Sequence, residues 1–188
     1  MTAIAWGDES IRSNNLSQPL YLLGASLIDS DFDEVRQQLN AAKPAGSSKL
    51  HWREMSDRTR RSTIKLLESL DSWHCIVCSE VLRPSKEERC RRKCMERLLP
   101  FLESSGISAL CLESRSQREN DRDISLVRGM RQQGRLVGLR VEHLKGDQDP
   151  LLWIPDAVLG AYGSTICGIA DYSPFIHDHV LVEQISAS

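Results

Sequence analysis

Three acidic residues sit where apolar chain predominates, far apart in sequence. Asp8 follows Ala3-Ile4-Ala5-Trp6-Gly7, and Glu113 follows Ile107-Ser108-Ala109-Leu110-Cys111-Leu112. Asp156 lies within Leu151-Leu152-Trp153-Ile154-Pro155-Asp156-Ala157-Val158-Leu159-Gly160-Ala161. Charged side chains are rarely buried unless something compensates them. Carboxylates that converge in a buried setting repel one another and hold their protons, unless a cation joins them. Hard divalent ions such as Mg2+ take oxygen ligands and leave coordination positions for water and phosphate. This set suits hydrolysis of a phosphate ester by two ions about 4 Å apart, one activating water and the other stabilising the leaving 3′-oxygen. In that scheme Asp8 bridges the two ions, Glu113 holds the first and Asp156 the second, with Mg2+ or Mn2+ as cofactor.

Neighbouring residues have a chemical reading and a plainer one. Glu9 directly follows Asp8, so strand alternation sends it to the opposite face. It is an auxiliary metal ligand only if the strand has ended, and otherwise structural. His51 and Glu54 are three apart and would share a face on a helix. That makes His51 a candidate proton shuttle or phosphate contact and Glu54 an auxiliary metal ligand; a polar surface segment explains them equally. Arg115, two residues beyond Glu113, would steady a phosphate bidentately if the strand continues, or else form a surface ion pair.

Cys75-x2-Cys78 and Cys90-x3-Cys94 invite a zinc reading, but a structural zinc needs four convergent ligands. Cys75 and Cys78 fall on an expected strand and point to opposite faces, so small buried hydrophobes are the plainer role. His177, Asp178 and His179 form a further possible metal cluster, or an ordinary polar tail. Neither glycine-rich phosphate motif occurs, which argues against P-loop and dinucleotide chemistry. No Gly-x-Ser-x-Gly nucleophile elbow occurs either.

The elements that must position these residues follow from periodicity. Residues 3–7 and 20–28 read as apolar strands of an antiparallel hairpin with a long polar tip. Asp31 to Ala42 has helical spacing, with Phe32, Val35 and Leu39 on one face. Segment 47–55 has no clear assignment. Ser56 or Asp57 caps a helix running through Ile64, Leu67 and Leu70. A third strand is expected over Trp73 to Leu82, a long basic helix over Ser85 to Glu103, and a fourth strand over Ile107 to Leu112. A helix over Asp121 to Gln133 and a strand over Leu136 to Leu144 follow. The last major helix spans Gln148 to Ile166, with Pro155 an obstacle inside it. The final twenty residues are ambiguous. The expectation is an α/β fold with a mixed sheet, three antiparallel strands then two parallel, flanked by helices. This is the element order of the ribonuclease H-like fold. There the first strand lies centrally, and its acid faces acids of the fourth strand and the last helix.

Four segments together resemble the family known as domain of unknown function 3800, assigned to the ribonuclease H-like (retroviral integrase) superfamily. They are Asp8-Glu9-Ser10, Lys49-Leu50-His51-Trp52-Arg53-Glu54, Leu112-Glu113-Ser114-Arg115 and Leu151-Leu152-Trp153-Ile154-Pro155-Asp156-Ala157, and they span nearly the whole chain. Ile11, Glu113 and Pro155 stand where members often carry Gly, Asp and Ala. The resemblance implies a cytoplasmic, nuclease-like protein using Mg2+ or Mn2+. It makes Lys49 and Arg53 candidate substrate-binding residues beside His51.

Composition sets the outer bounds. A chain of 188 residues fits one domain over 1–188, enough to bury roughly 70% of its unfolded surface. Lys and Arg number 24 against 26 Asp and Glu, a formal charge of −2. That is no basic excess, but local patches can meet a nucleic acid. Basic residues do cluster at 58–61, 86–97 and 115–135. No apolar run reaches the ~20 residues of a membrane span, and no secretion signal opens the chain. A cytoplasmic protein with reduced thiols is expected. The reading is a nuclease acting on DNA or RNA, with Lys and Arg of 86–97 and 115–135 guiding the backbone. The alternative is a catalytically inactive ribonuclease H-like domain that binds nucleic acid or protein, and a third reading is a zinc-stabilised interaction module.

Overall fold

The central strands are built from apolar residues that alternate between two faces of one sheet. In the computed structural model, which describes residues 3–81, 83 and 86–186, β1 (Ala3–Arg12) pairs antiparallel with β2 (Leu20–Ile28). β3 (Ser72–Glu80) extends that ladder beyond β2. On the other side of β1, β4 (Ile107–Glu113) and β5 (Arg140–Leu144) add in parallel. A sixth strand, β6 (Val180–Ile185), runs parallel to β3, giving the order β5-β4-β1-β2-β3-β6.

Each face carries its own apolar layer. Trp6, Leu22, Ile76 and Cys78 pack beneath α1 (Phe32–Ala42), α2 (Asp57–Glu68), α5 (Trp153–Ile166) and α6 (Ser173–His179), meeting Leu39, Leu67, Leu159 and Phe175. Ala5, Leu23, Val77 and Leu110 face α3 (Glu87–Ser104) and α4 (Gln117–Gln132), where Leu98, Val127 and Met130 cover them. Each fully buried aliphatic side chain contributes roughly 1.5–3 kcal/mol, so both layers matter to stability. α5 is apolar on nearly every side and almost wholly buried, as a helix lodged against the sheet must be.

Several boundaries differ from expectation for identifiable reasons. β1 continues to Arg12 because β2 pairs with it all the way to Leu20, so Asp8 lies within the strand and not at its end. α4 begins at Gln117, not Asp121, since Ser116 and Glu119 form a capping box there. Residues 136–139 are not strand; the Glu103 carboxylate accepts the N–H groups of Val137, Gly138 and Leu139 and holds them as a loop. Pro155 falls in the first turn of α5, where a missing N–H costs no helical bond. The unassigned segment contains a 3-10 turn, Trp52–Glu54. Leu82 and Ser85, expected element ends, lie outside the described residues. No helix among the described residues is long and apolar enough to cross a membrane.

Candidate active site

Three elements deliver the three acids to one face. Gly7 is paired with Leu112 in parallel register, so Asp8 and Glu113 come next on adjacent strands and project to the same side. That side is covered by α5, whose first turn carries Asp156, where the helix dipole favours a carboxylate. Two glycines let partners approach α5 closely. A Cβ at Gly160 would collide with the Trp52 ring, and one at Gly163 with the Arg12 side chain.

The electrostatics of the three acids differ. Burial, followed by the charges of Asp156 and Glu113, pushes Asp8 well above the ordinary carboxyl value. The Glu9 N–H donates to Asp8 Oδ1 at 2.7 Å and acts the other way. No basic side chain pairs with Asp8 among the described residues. Glu113 accepts from Lys49 Nζ at 2.7 Å. Burial disfavours that ammonium, but Glu113, Asp156 and Asp8 outweigh it and raise the Lys49 pKa. Asp156 Oδ2 accepts the Trp52 N–H at 2.7 Å and His51 Nδ1 at 3.1 Å. The hydrogen bond to Asp156 raises the His51 pKa against burial.

Among the described residues, no three His, Cys, Asp or Glu side chains form a ready-made metal cage. Glu113 leans on Lys49, and Asp156 on His51 and the Trp52 amide. The donors around Asp8 are nonetheless all carboxylate oxygens, and Asp8 itself has no counter-cation. That chemistry fits a hard divalent ion, which would offset both the burial and the mutual repulsion.

Other candidate residues are placed elsewhere. Glu9 projects to the opposite face, where its carboxylate meets the Tyr21 hydroxyl and Arg91, so it is not a fourth acid beside Asp8. The strand ends at Glu113, and Arg115 turns to that same opposite face. There it pairs with Glu88, Glu119 and Asp123. Its charge is already compensated, which leaves it a poor phosphate clamp. Glu54 is exposed and acts on His51 as a neighbouring charge, not on Asp8. Arg53 is exposed and, with Glu9, Ser10 and Ile11, lines a cavity of about 470 Å³.

Several members of the basic clusters expected to guide substrate are paired within the chain, whereas Lys86, Arg89, Lys93, Arg118 and Arg128 form no side-chain ion pair among the described residues. Arg91 is buried, and Arg92, Arg97 and Arg122 pair with Glu96, Glu183 and Glu88. Arg131 and Arg135 donate to the carbonyls of Leu139 and Glu96. All six cysteines are free and buried. Cys75 and Cys78 belong to opposite layers of the sheet, so they do not converge on zinc. His177 pairs with Asp178 at 2.7 Å, and His179 stacks on Phe175.

One residue beside the site is absent from the sequence-based candidates. Arg12 is on the Asp8 face of β1, its guanidinium against Gly163 of α5. Its Nε is buried without a hydrogen-bond partner. The available signal was alternation: had the strand been carried past Glu9, Ser10 and Arg12 would have followed Asp8 onto its face.

No family profile and no curated protein matches the chain. Among solved structures, 25 chains match. One comes from the PCNA:RNase HII complex of Archaeoglobus fulgidus, with 12% identity and a TM-score of 0.53 over 83% of this chain and 70% of that one. Another is the ribonuclease H2 of Pyrococcus horikoshii OT3, with 15% identity and a TM-score of 0.46 over 94% and 77%. A third is Bst-RNase HIII in complex with Mn2+, with 9% identity and a TM-score of 0.41 over 94% and 62%. The chain has a ribonuclease H-like fold, a mixed six-stranded sheet flanked by helices.

Proposed function

We propose that the chain is a single-domain nuclease that hydrolyses phosphodiester bonds of DNA or RNA with Mg2+ or Mn2+. This reading groups it with the domain of unknown function 3800 family that it resembles. The observation that carries it is Asp8: a half-buried carboxyl with two acidic neighbours and no ion pair among the described residues. Asp8, Glu113 and Asp156 would hold the ions. When bound, such ions supply an activated water and charge stabilisation at the leaving 3′-oxygen.

The remaining work falls to the chain's own groups. The Trp52 amide and His51 orient the Asp156 carboxylate. His51 keeps its Nδ1 proton on Asp156, which leaves Nε2 to exchange a proton with solvent or with a substrate oxygen. Lys49 balances the Glu113 charge in the absence of a dication and is then a phosphate contact, with Arg53 at the rim.

The test is cleavage of labelled single- and double-stranded DNA and RNA with Mn2+ and with chelator. Asp8→Asn or Asp156→Asn should lower the rate by more than the roughly 100-fold that loss of an outer-shell partner can cost, with the fold intact by circular dichroism. An Asp8→Asn protein that cuts at the wild-type rate would end the proposal. The Lys49–Glu113 ion pair favours a second reading, a catalytically idle domain that binds nucleic acid or protein, because a lysine already serves as counter-ion. Calorimetric titration with Mn2+ separates the two, since an idle site should bind none.

A further inference from the structure

The two faces of β1 treat their arginines in opposite ways. On the Glu9 side, Arg91 and Arg115 share Glu9, Asp123, Glu88 and Glu119 in close ion pairs. Arg12 on the Asp8 side, and Arg53 bordering Ser10 and Ile11 at the strand's edge, make no side-chain ion pair or hydrogen bond among the described residues. Arg12 differs from the other arginines that lack an ion pair, such as Arg58, Arg61 and Arg118, in being half-buried with its Nε closed off from solvent.

The Arg12 surroundings make the omission costly. Its side chain is half-buried between β1 and Gly163, and its Nε is closed off from solvent without an acceptor. Burial, then the charge of Arg53 and more weakly that of Arg60, lowers its pKa; Asp156 opposes them from beyond ion-pair reach. Arg60 cannot relieve the crowding by turning away. It donates to the Trp52 carbonyl at 3.2 Å and stacks on the Trp52 ring. A buried donor without an acceptor is destabilising, and guanidinium is the side chain best shaped to donate to two oxygens of one oxyanion.

We infer that Arg12 and Arg53 form an oxyanion subsite beside the carboxylates, taking the non-bridging oxygens of a phosphodiester that neighbours the scissile one. The inference rests on the nuclease reading for the identity of that oxyanion as part of a polynucleotide. Arg12 supplies the inner, pre-positioned contact and Arg53 the outer one. The subsite also offsets a problem of the site itself: three acids repel a polyanion, and an uncompensated pair of guanidiniums beside them attracts it.

The experiment is binding of a fluorescent 20-nucleotide DNA and RNA to the full chain in chelator, across a salt series. Arg12→Gln and Arg53→Gln should each weaken binding roughly tenfold and reduce the log–log salt slope by about 0.7–0.9, the share of one phosphate contact. Arg12→Lys should retain much of the slope. Inorganic phosphate should raise the melting temperature of the wild type but not of Arg12→Gln/Arg53→Gln. Without phosphate, Arg12→Gln should melt no lower than wild type, whereas a purely structural arginine would leave a destabilised protein. Unchanged affinity and slope in both single variants of a protein that cuts would overturn the subsite and leave the nuclease reading standing. If the wild type neither binds nor cuts any polynucleotide, the nuclease reading falls, and the phosphate melting series alone decides: a shift lost in the double variant supports an oxyanion subsite for a smaller phosphate ester, and no shift in the wild type ends it.

Discussion

At the level of single residues, Asp8 carries a stability cost that its chemistry explains. Its pKa in the folded chain is raised above the ordinary 3.8 by burial and by Asp156 and Glu113. A raised carboxyl contributes stability below about pH 3.8 that is lost as pH rises through the folded value. At neutral pH without metal, Asp8 therefore works against folding. Asp8→Asn should raise the melting temperature of the metal-free protein, by about 2–4 °C for each kcal/mol of strain released. Added Mn2+ should stabilise the wild type and leave Asp8→Asn unmoved. Calorimetry at pH 7 with chelator and with Mn2+ checks both. A variant that melts lower than wild type would mean that Asp8 is structural.

Elements meet the site through close approaches. Trp52 lies over Gly160 of α5, and its backbone N–H fixes Asp156. Gly160→Ala would drive a methyl group into the indole, an overpacking that typically costs about 1–3 kcal/mol. Denaturant unfolding should report that loss, and cleavage should fall with it because Trp52 and Asp156 move together. On the other layer, α3 and α4 are tied by a buried pair: Arg91 donates from Nη2 to Asp123 at 2.7 Å, both almost inaccessible to solvent. Burial opposes the charge on Arg91, but Asp123 and Glu9 outweigh it and raise its pKa. Removing one partner of such a pair leaves the other charge stranded. Arg91→Ala should cost about 3–5 kcal/mol in a urea titration.

For the molecule as a whole, the two layers should fail in acid at different pH. His74 is buried under α6, bonded to Ser26 Oγ at 2.9 Å, tilted against Phe175 and near His179. Burial, helped by His179, lowers its pKa from 6.5 to about 3. A lowered histidine contributes stability above about pH 6.5 that is lost as pH falls toward the folded value, at about 1.4 kcal/mol per unit. Asp123, across the sheet, is opposed by burial but brought down to about 2 by His143 and Arg91. Its contribution is complete above about pH 3.8 and disappears only as pH falls toward 2. Urea midpoints measured from pH 7 to pH 4 should carry a falling His74 contribution set against rising ones from Asp8 and His51. His74→Gln should remove the falling contribution, about 1.4 kcal/mol per unit, while Asp123→Asn should leave the slope unchanged.

What the sequence by itself determined is the order of the main elements from β1 to α5, not the 3-10 turn at Trp52–Glu54, α6 or β6. Apolar alternation in β1, β2 and β4 and helical spacing in α1 and α2 are local patterns, set by a pleat and a 3.6-residue turn. The same alternation separated Glu9 from Asp8 and Cys75 from Cys78. Strand extent was not legible in this way, because β1 past Gly7 is polar and is held extended by the β2 backbone, which leaves no mark in side-chain pattern. Nor was the fate of the basic residues. Whether Arg91, Arg115 or Arg12 has a partner depends on carboxylates brought from other elements, and charge pairing acts through space, not along the chain. Only the tertiary structure decided that Glu9 and Arg115 belong to a closed network. It alone put Lys49 on Glu113 and left Arg12 without a counter-ion beside Gly163.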